Sequence, residues 1–202
     1  MTILDHQLLR MALAHFVGQE LTPEAAGRIE DIAMHREDLS HEPDRFGLVE
    51  FGEYKIRVER FRDIVCELDV LHRLHWDETE QHRHGLPLNP DYLHMARCER
   101  DGSLIQFTVR HGADLIGNLR IYLSISMHSG TPLCSAEEDT LFIHPDHRGS
   151  WLVMKLLRFA EDSLKSIGVR EFNFDSKVVN RADVLMRRMG YRLTAYLFTK
   201  TV

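Results

Sequence analysis

Three consecutive acids, Glu137, Glu138 and Asp139, lead into the apolar run Leu141, Phe142, Ile143, and the chain then turns through "HPDHRGS" into the helical pattern "WLVMKLL". A strand that stops where a helix starts leaves the N–H groups of the first helical turn without partners. Together with the helix dipole they form a site for an anion. Arg148 brings charge to that turn, and Gly149 and Ser150 are placed to carry its tight bend. Alternation along a strand lets only one or two of the three acids face any one side. A second group lies in "LHRLHWDETEQHRH". His72 and His75 stand three apart on one helix face, with His82 and His84 beyond the expected helix end. This spacing matches no established ligand set, so no metal site is expected. His75 is suited to carry a proton near neutral pH, or simply to pack or cap.

The elements that must position these residues follow from pattern. The chain has 202 residues, 44% hydrophobic and 28% charged, which predicts one domain with a sizeable core and leaves length for an appendage. No apolar run is long enough for a membrane span. The opening "MTILDHQLLRMALAHF" mixes Asp, His and Arg into its apolar residues, unlike a secretory leader. Cys66, Cys98 and Cys134 are scattered and odd in number, which suggests neither disulfides nor a zinc site and predicts a cytoplasmic location. A net charge of -6 argues against indiscriminate attraction to nucleic acid.

Helical spacing from Leu4 to Val17, and a second helix with Thr22 as cap and Pro23 first, predict a helical extension over residues 1–50, with 40–53 as a join. "YKIRVERF" alternates as a strand, and a helix runs from about Arg62 to His82. Another helix starts at Asn89 or Asp91. "SLIQFTVR" and "LIGNLRIYLSIS" form a meander, and "EEDTLFI" makes a further strand. Then come a helix over 149–167 closed by Gly168, the strand "REFNFDS", a helix from Arg181 to Met189 closed by Gly190, and a last strand "YRLTAYLFTK". This order predicts an α/β or α+β sheet with helices on its faces.

"LFIHPDHRGSWLVMKLLRFAEDSL" followed by "VVNRADVLMRRMGY" resembles the acyl-CoA-binding segment of the Gcn5-related N-acetyltransferases. "HWDE", "LNPDY", "DGSLIQFTVR" and "CSAEEDTLFIHPDHRG" are similar to a phage-associated branch of that superfamily. The resemblance covers about residues 54–200. It implies a mixed sheet splayed between two central parallel strands, with an acetyltransferase domain over 51–202. The pantetheine of acetyl-CoA would pair with the edge of Leu141, Phe142 and Ile143. The pyrophosphate would meet the N–H groups from Gly149 through Ser150, Trp151 and Leu152 to Val153, with Arg148 adding charge. Asn180 would hydrogen-bond the pantetheine arm, or cap the next helix. Trp151 and Val153 stand where the family has small residues, and Met186 where many relatives carry a proton-donating Tyr.

Acetyl transfer to an amine needs a route for the amine's proton and hydrogen bonds for the developing oxyanion. Asp139, then Glu138, is expected to be the base or amine anchor, against a reading as a charged strand end in solvent. The N–H of Phe142 or Leu141 would serve the oxyanion, and His75 and Glu78 would line the acceptor pocket. The expected activity is transfer from acetyl-CoA to a primary amine in a ternary complex, with no metal, no membrane and a homodimer as one possible assembly. Acceptors within this expectation are an aminated DNA base, a host protein amine, or a small polyamine or drug. Basic residues around the first strand (Lys55, Arg57, Arg60, Arg62) and the last helix (Arg181, Arg187, Arg188, Arg192) would favour DNA as a basic face, but their alternation with acids makes a solvated surface the default. The alternatives are a catalytically silent interaction module of the same fold, and a His-metal hydrolase.

Overall fold

The alternation in "YKIRV" becomes β2, Tyr54–Val58, with Ile56 and Val58 buried and Lys55 and Arg57 outward. In the computed structural model, residues 20–33, 38–79, 87–124, 135–149, 151–177 and 182–196 are described, together with Leu9, Leu13, Phe16 and Gly18. Strand β2 pairs with β1, Leu48–Phe51, so the stretch expected as a join contributes the sheet's first strand. The meander follows as β3, Leu104–His111, and β4, Asp114–Ser124, and then come β5, Ser135–Ile143, and the three-residue β6, Glu171–Asn173. The sheet order is β1-β2-β3-β4-β5-β6, and every pairing is antiparallel except β5 with β6. That one parallel pair requires a crossover, which a helix supplies.

Among the described residues the sheet is accompanied by five longer helices: α1 Pro23–Ala33, α2 Phe61–Thr79, α3 Tyr92–Arg100, α4 Leu152–Ser166 and α5 Ala182–Arg188. Helix α4 buries Leu152, Leu156, Phe159, Ala160 and Leu164 against Ile105, Phe107, Leu119 and Ile121. Phe61, Ile64 and Leu68 of α2, with Tyr92 and Met95 of α3, pack around Leu104 in a second cluster. The two clusters put α4 on one face of the sheet and the α2–α3 pair on the other. Gly168 and Gly190 end α4 and α5 as expected: Val169 N–H returns to Leu164 C=O at 3.1 Å, and Tyr191 N–H to Met186 C=O at 3.0 Å.

Local caps also match the sequence. Thr22 Oγ1 accepts from Ala25 N–H at 3.2 Å, and Asp91, not Asn89, caps α3 by accepting from His94 N–H at 2.9 Å. The cap of α2 is not local. Glu99, from the far end of α3, accepts from the N–H groups of Phe61 and Arg62, and burial raises its carboxyl above the usual range. The final strand is not found over 191–196, which carry no strand pairing. Tyr191 is instead held by Glu161, to which its hydroxyl donates at 2.5 Å, and by Phe174, whose ring centroid is 5.1 Å away. The expected helix over Leu4–Val17 lies mostly outside the described residues.

Candidate active site

Strands β5 and β6 pair over only three residues each, Ser135, Ala136 and Glu137 against Glu171, Phe172 and Asn173. From Glu138 to Ile143, β5 continues without a partner on that side among the described residues. Its other side stays bonded to β4, where His144 N–H donates to Ile116 C=O at 2.7 Å. Antiparallel pairs alternate in direction, so Phe142 directs its N–H and C=O at β4, while Leu141 and Ile143 direct theirs into the opening. Of the two amides expected to serve an oxyanion, the register therefore leaves Leu141 facing the opening and commits Phe142 to the sheet. A cleft of about 310 Å³ runs along this edge, between β5, the turn at Arg148–Gly149, the start of α4 (Leu152, Val153), the end of α2 (His75, Glu78, Thr79) and α5 (Ala182, Leu185).

A register shift separates the acids. Ile121 pairs with Glu138 and Arg120 with Thr140, leaving Asp139 as the extra residue of a β-bulge. Asp139 and Thr140 thereby both reach Arg120, whose Nε and Nη2 donate to them at 2.8 and 3.1 Å. Arg120 is a buried cation, its side chain 4% exposed. Glu138 points the other way, to the mouth of the opening, where its carboxylate accepts from Asp175 N–H at 3.3 Å just past β6. Desolvation, followed by the charges of Asp139 and Asp175, pushes its carboxyl up to about 7. Asp139, preferred as base from the sequence, is thus held by Arg120 and Thr140, and Glu138 stands at the opening.

No protein-family model matches the chain, and no curated protein matches it. Solved structures do. An aminoglycoside acetyltransferase from an uncultured soil metagenomic sample superposes with a TM-score of 0.60 at 15% identity, covering 74% of this chain and 97% of its own. The ribosomal-protein-alanine N-acetyltransferase of Brucella melitensis biovar Abortus 2308 gives 0.57 at 16%, covering 74% and 99%. An aminoglycoside N-acetyltransferase in complex with CoA gives 0.54 at 14%, covering 73% and 98%. The fold is that of the acetyltransferases.

Within this acetyltransferase fold, the turn departs from expectation in detail. Gly149 takes φ +87°, a left-handed conformation that suits glycine. Trp151 is 66% exposed and its side chain does not line the cleft, so its ring points away from the domain, whereas Val153 does line it. Arg148 is not a free cation: Nη1 and Nη2 donate to Glu78 at 2.8 and 2.7 Å, and Nε donates to Ile143 C=O at 2.7 Å. Glu78 therefore meets the turn within the cleft it lines, and Arg148 holds its carboxyl below the usual range. His75 packs its ring on Phe142, centroids 5.6 Å apart. Met186 is buried in the core; Leu185 is the α5 side chain beside it that faces the cleft. Ser150 and Asn180 lie outside the described residues.

Sequence reasoning passed over Arg120, Gly117 and the partners of His72. A Cβ at Gly117 would collide with the Ile143 side chain, so glycine there lets Ile143 sit at the cleft. Tyr92 donates to Asp69 at 2.8 Å, which commits its only proton; His72 Nδ1, 3.0 Å from the phenol oxygen, must then be the N–H that donates. The tautomer leaves Nε2 bare and buried. Desolvation, then the Arg120 charge, drives the imidazole down to about 3. Among the described residues no group of His, Cys, Asp and Glu is arranged to hold a metal ion, and no helix is long and apolar enough to cross a membrane.

Proposed function

We propose that this chain is an N-acetyltransferase that moves the acetyl group of acetyl-CoA to a primary amine by direct attack, within the phage-associated branch its motifs resemble. The observation that carries the proposal is the divergence of β5 from β6 after Glu137, which leaves Leu141 and Ile143 with outward backbone groups along a cleft ending at the first turn of α4. An extended pantetheine arm fits an unpaired strand edge, and its diphosphate fits the turn from Gly149 to Val153 next to Arg148. Because the Trp151 ring points outward, the bulky departure from the family pattern leaves that space clear.

Glu138 is the base in this reading. A carboxyl near 7 is matched to taking a proton from an ammonium nucleophile at neutral pH. The neutral amine nitrogen so formed bonds to the thioester carbon, the N–H of Leu141 donates to the oxygen that becomes negative, and as the C–S bond breaks the nitrogen's second proton passes to the departing thiolate. Asp139, held by Arg120, anchors the incoming cation from the α2–α3 side. The thiolate leaves without a tyrosine acid on α5, which a thiol pKa of about 8.5 makes tolerable. For the acceptor, Arg57, Arg60 and Arg62 are each paired with an acid, which favours a small amine or a protein amine over a DNA base.

Two measurements on one sample test this. Acetyl-CoA at 100 times its dissociation constant stabilises the folded chain by about 2.7 kcal/mol, seen as a rise in melting temperature. Amine-dependent release of free thiol follows with a polycationic aminoglycoside, a polyamine or a peptide N-terminus as acceptor. A melting shift with no thiol release from any of these would identify a silent binding module, and no shift at millimolar acetyl-CoA would remove the proposal.

A further inference from the structure

Glu78, expected from the sequence at an acceptor pocket, makes a bidentate ion pair in the cleft, two parallel bonds of 2.8 and 2.7 Å to Arg148. Bidentate guanidinium–carboxylate geometry is the arrangement a guanidinium also offers to phosphate. The same Arg148 lies over the Phe142 ring at 5.1 Å and donates through Nε to Ile143 C=O, one of the edge groups that face the opening. One side chain thus ties the end of α2 to the edge of β5 and the turn before α4, across the line that a nucleotide thioester must follow.

We infer that Glu78 is a built-in rival for Arg148, an autoinhibitory contact that a ligand displaces with at least two anionic oxygens of its own. The inference rests on the reading of the cleft as an acyl-CoA site. A carboxylate pair supplies one charge and two acceptor oxygens, whereas a diphosphate supplies more charge in the same fork geometry, so exchange favours the diphosphate. A ligand without phosphate has nothing to offer the guanidinium and meets a closed ion pair lying on the Ile143 carbonyl. Glu78 therefore lowers the affinity for any ligand that needs the Arg148 guanidinium, diphosphates included. The pair is partly exposed, 40% for Arg148 and 39% for Glu78, so its rupture costs little enough for binding to afford it.

The test is the dissociation constant of CoA for the wild-type chain, Glu78→Gln and Glu78→Ala, each checked for an unchanged circular-dichroism spectrum. Removing the rival charge tightens CoA by roughly two- to fivefold, the range of a partly exposed charged pair, and the gain shrinks as salt is raised. Unchanged or weaker CoA binding in both variants, with wild type still binding, overturns this inference alone. No CoA binding by any of the three overturns the acyl-CoA reading with it. A crystal structure of wild type with CoA supplies a measurement that needs no variant: Arg148 is expected on phosphate and off Glu78, and an intact Arg148–Glu78 fork beside bound CoA contradicts the inference.

Discussion

Glu138 and Asp139 are neighbours whose environments diverge because a single inserted residue separates their directions. Asp139 faces a buried guanidinium, while Glu138 lies at the strand opening, half-buried, with an amide and two like charges nearby. A base must be ionised to accept a proton, so the turnover rate should rise with pH and reach half its maximum near pH 7, the value to which Glu138 is pushed. Glu138→Gln should lower turnover by about 10²- to 10⁴-fold and abolish that ascending limb. Asp139→Asn should act on the amine KM and keep the limb, moved to lower pH because a like charge beside Glu138 is gone. A limb that persists in Glu138→Gln would assign the base elsewhere. The presence of candidate acids was legible in "EEDTLFI", but their ranking was not, because a bulge belongs to the pairing of two strands and leaves no mark in one of them.

At the scale of elements, α2 is the piece whose placement depends least on its own sequence. Its first turn is capped by Glu99 from α3, its middle is tied through His72 and Tyr92, and its end is tied by Glu78 to the turn before α4. The helix itself was readable from periodicity, as were the starts at Thr22 and Asp91 and the stops at Gly168 and Gly190, because these signals are local. A cap contributed 38 residues away is invisible to any local reading. The last expected strand failed for a related reason: its alternating pattern implied a partner strand, and Tyr191 found Glu161 and Phe174 instead.

His72 gives this element a pH signature. Its folded value is about 3 against an ordinary 6.5, so the unfolded chain takes up the proton first, and the stability present above pH 6.5 is lost as pH falls towards 3. The slope is on the order of 1 kcal/mol per pH unit in that window. Melting temperatures of wild type and His72→Phe between pH 6.5 and 4 measure it: the variant should be flatter, and parallel curves would show that His72 is not buried in its neutral form.

For the whole molecule, the division of labour runs through the sheet. One face carries α4 and the larger core, the other carries α2, α3 and the Arg120–Asp139 pair, and the opening between β5 and β6 joins the two. A sheet with helices on its faces was legible from the order of strands and helices, whereas the opening was expected only from the resemblance to the acetyltransferases. The direction of the edge amides was not, since it depends on register. The same register provides the most direct test of the central claim, that the β5 edge receives the arm of acetyl-CoA. The measurement is amide hydrogen exchange, residue by residue, with and without acetyl-CoA. The account predicts slowed exchange at Leu141 and Ile143, whose amides face the opening, and little change at Phe142, which is already bonded to β4. Binding that leaves Leu141 and Ile143 unprotected would contradict it.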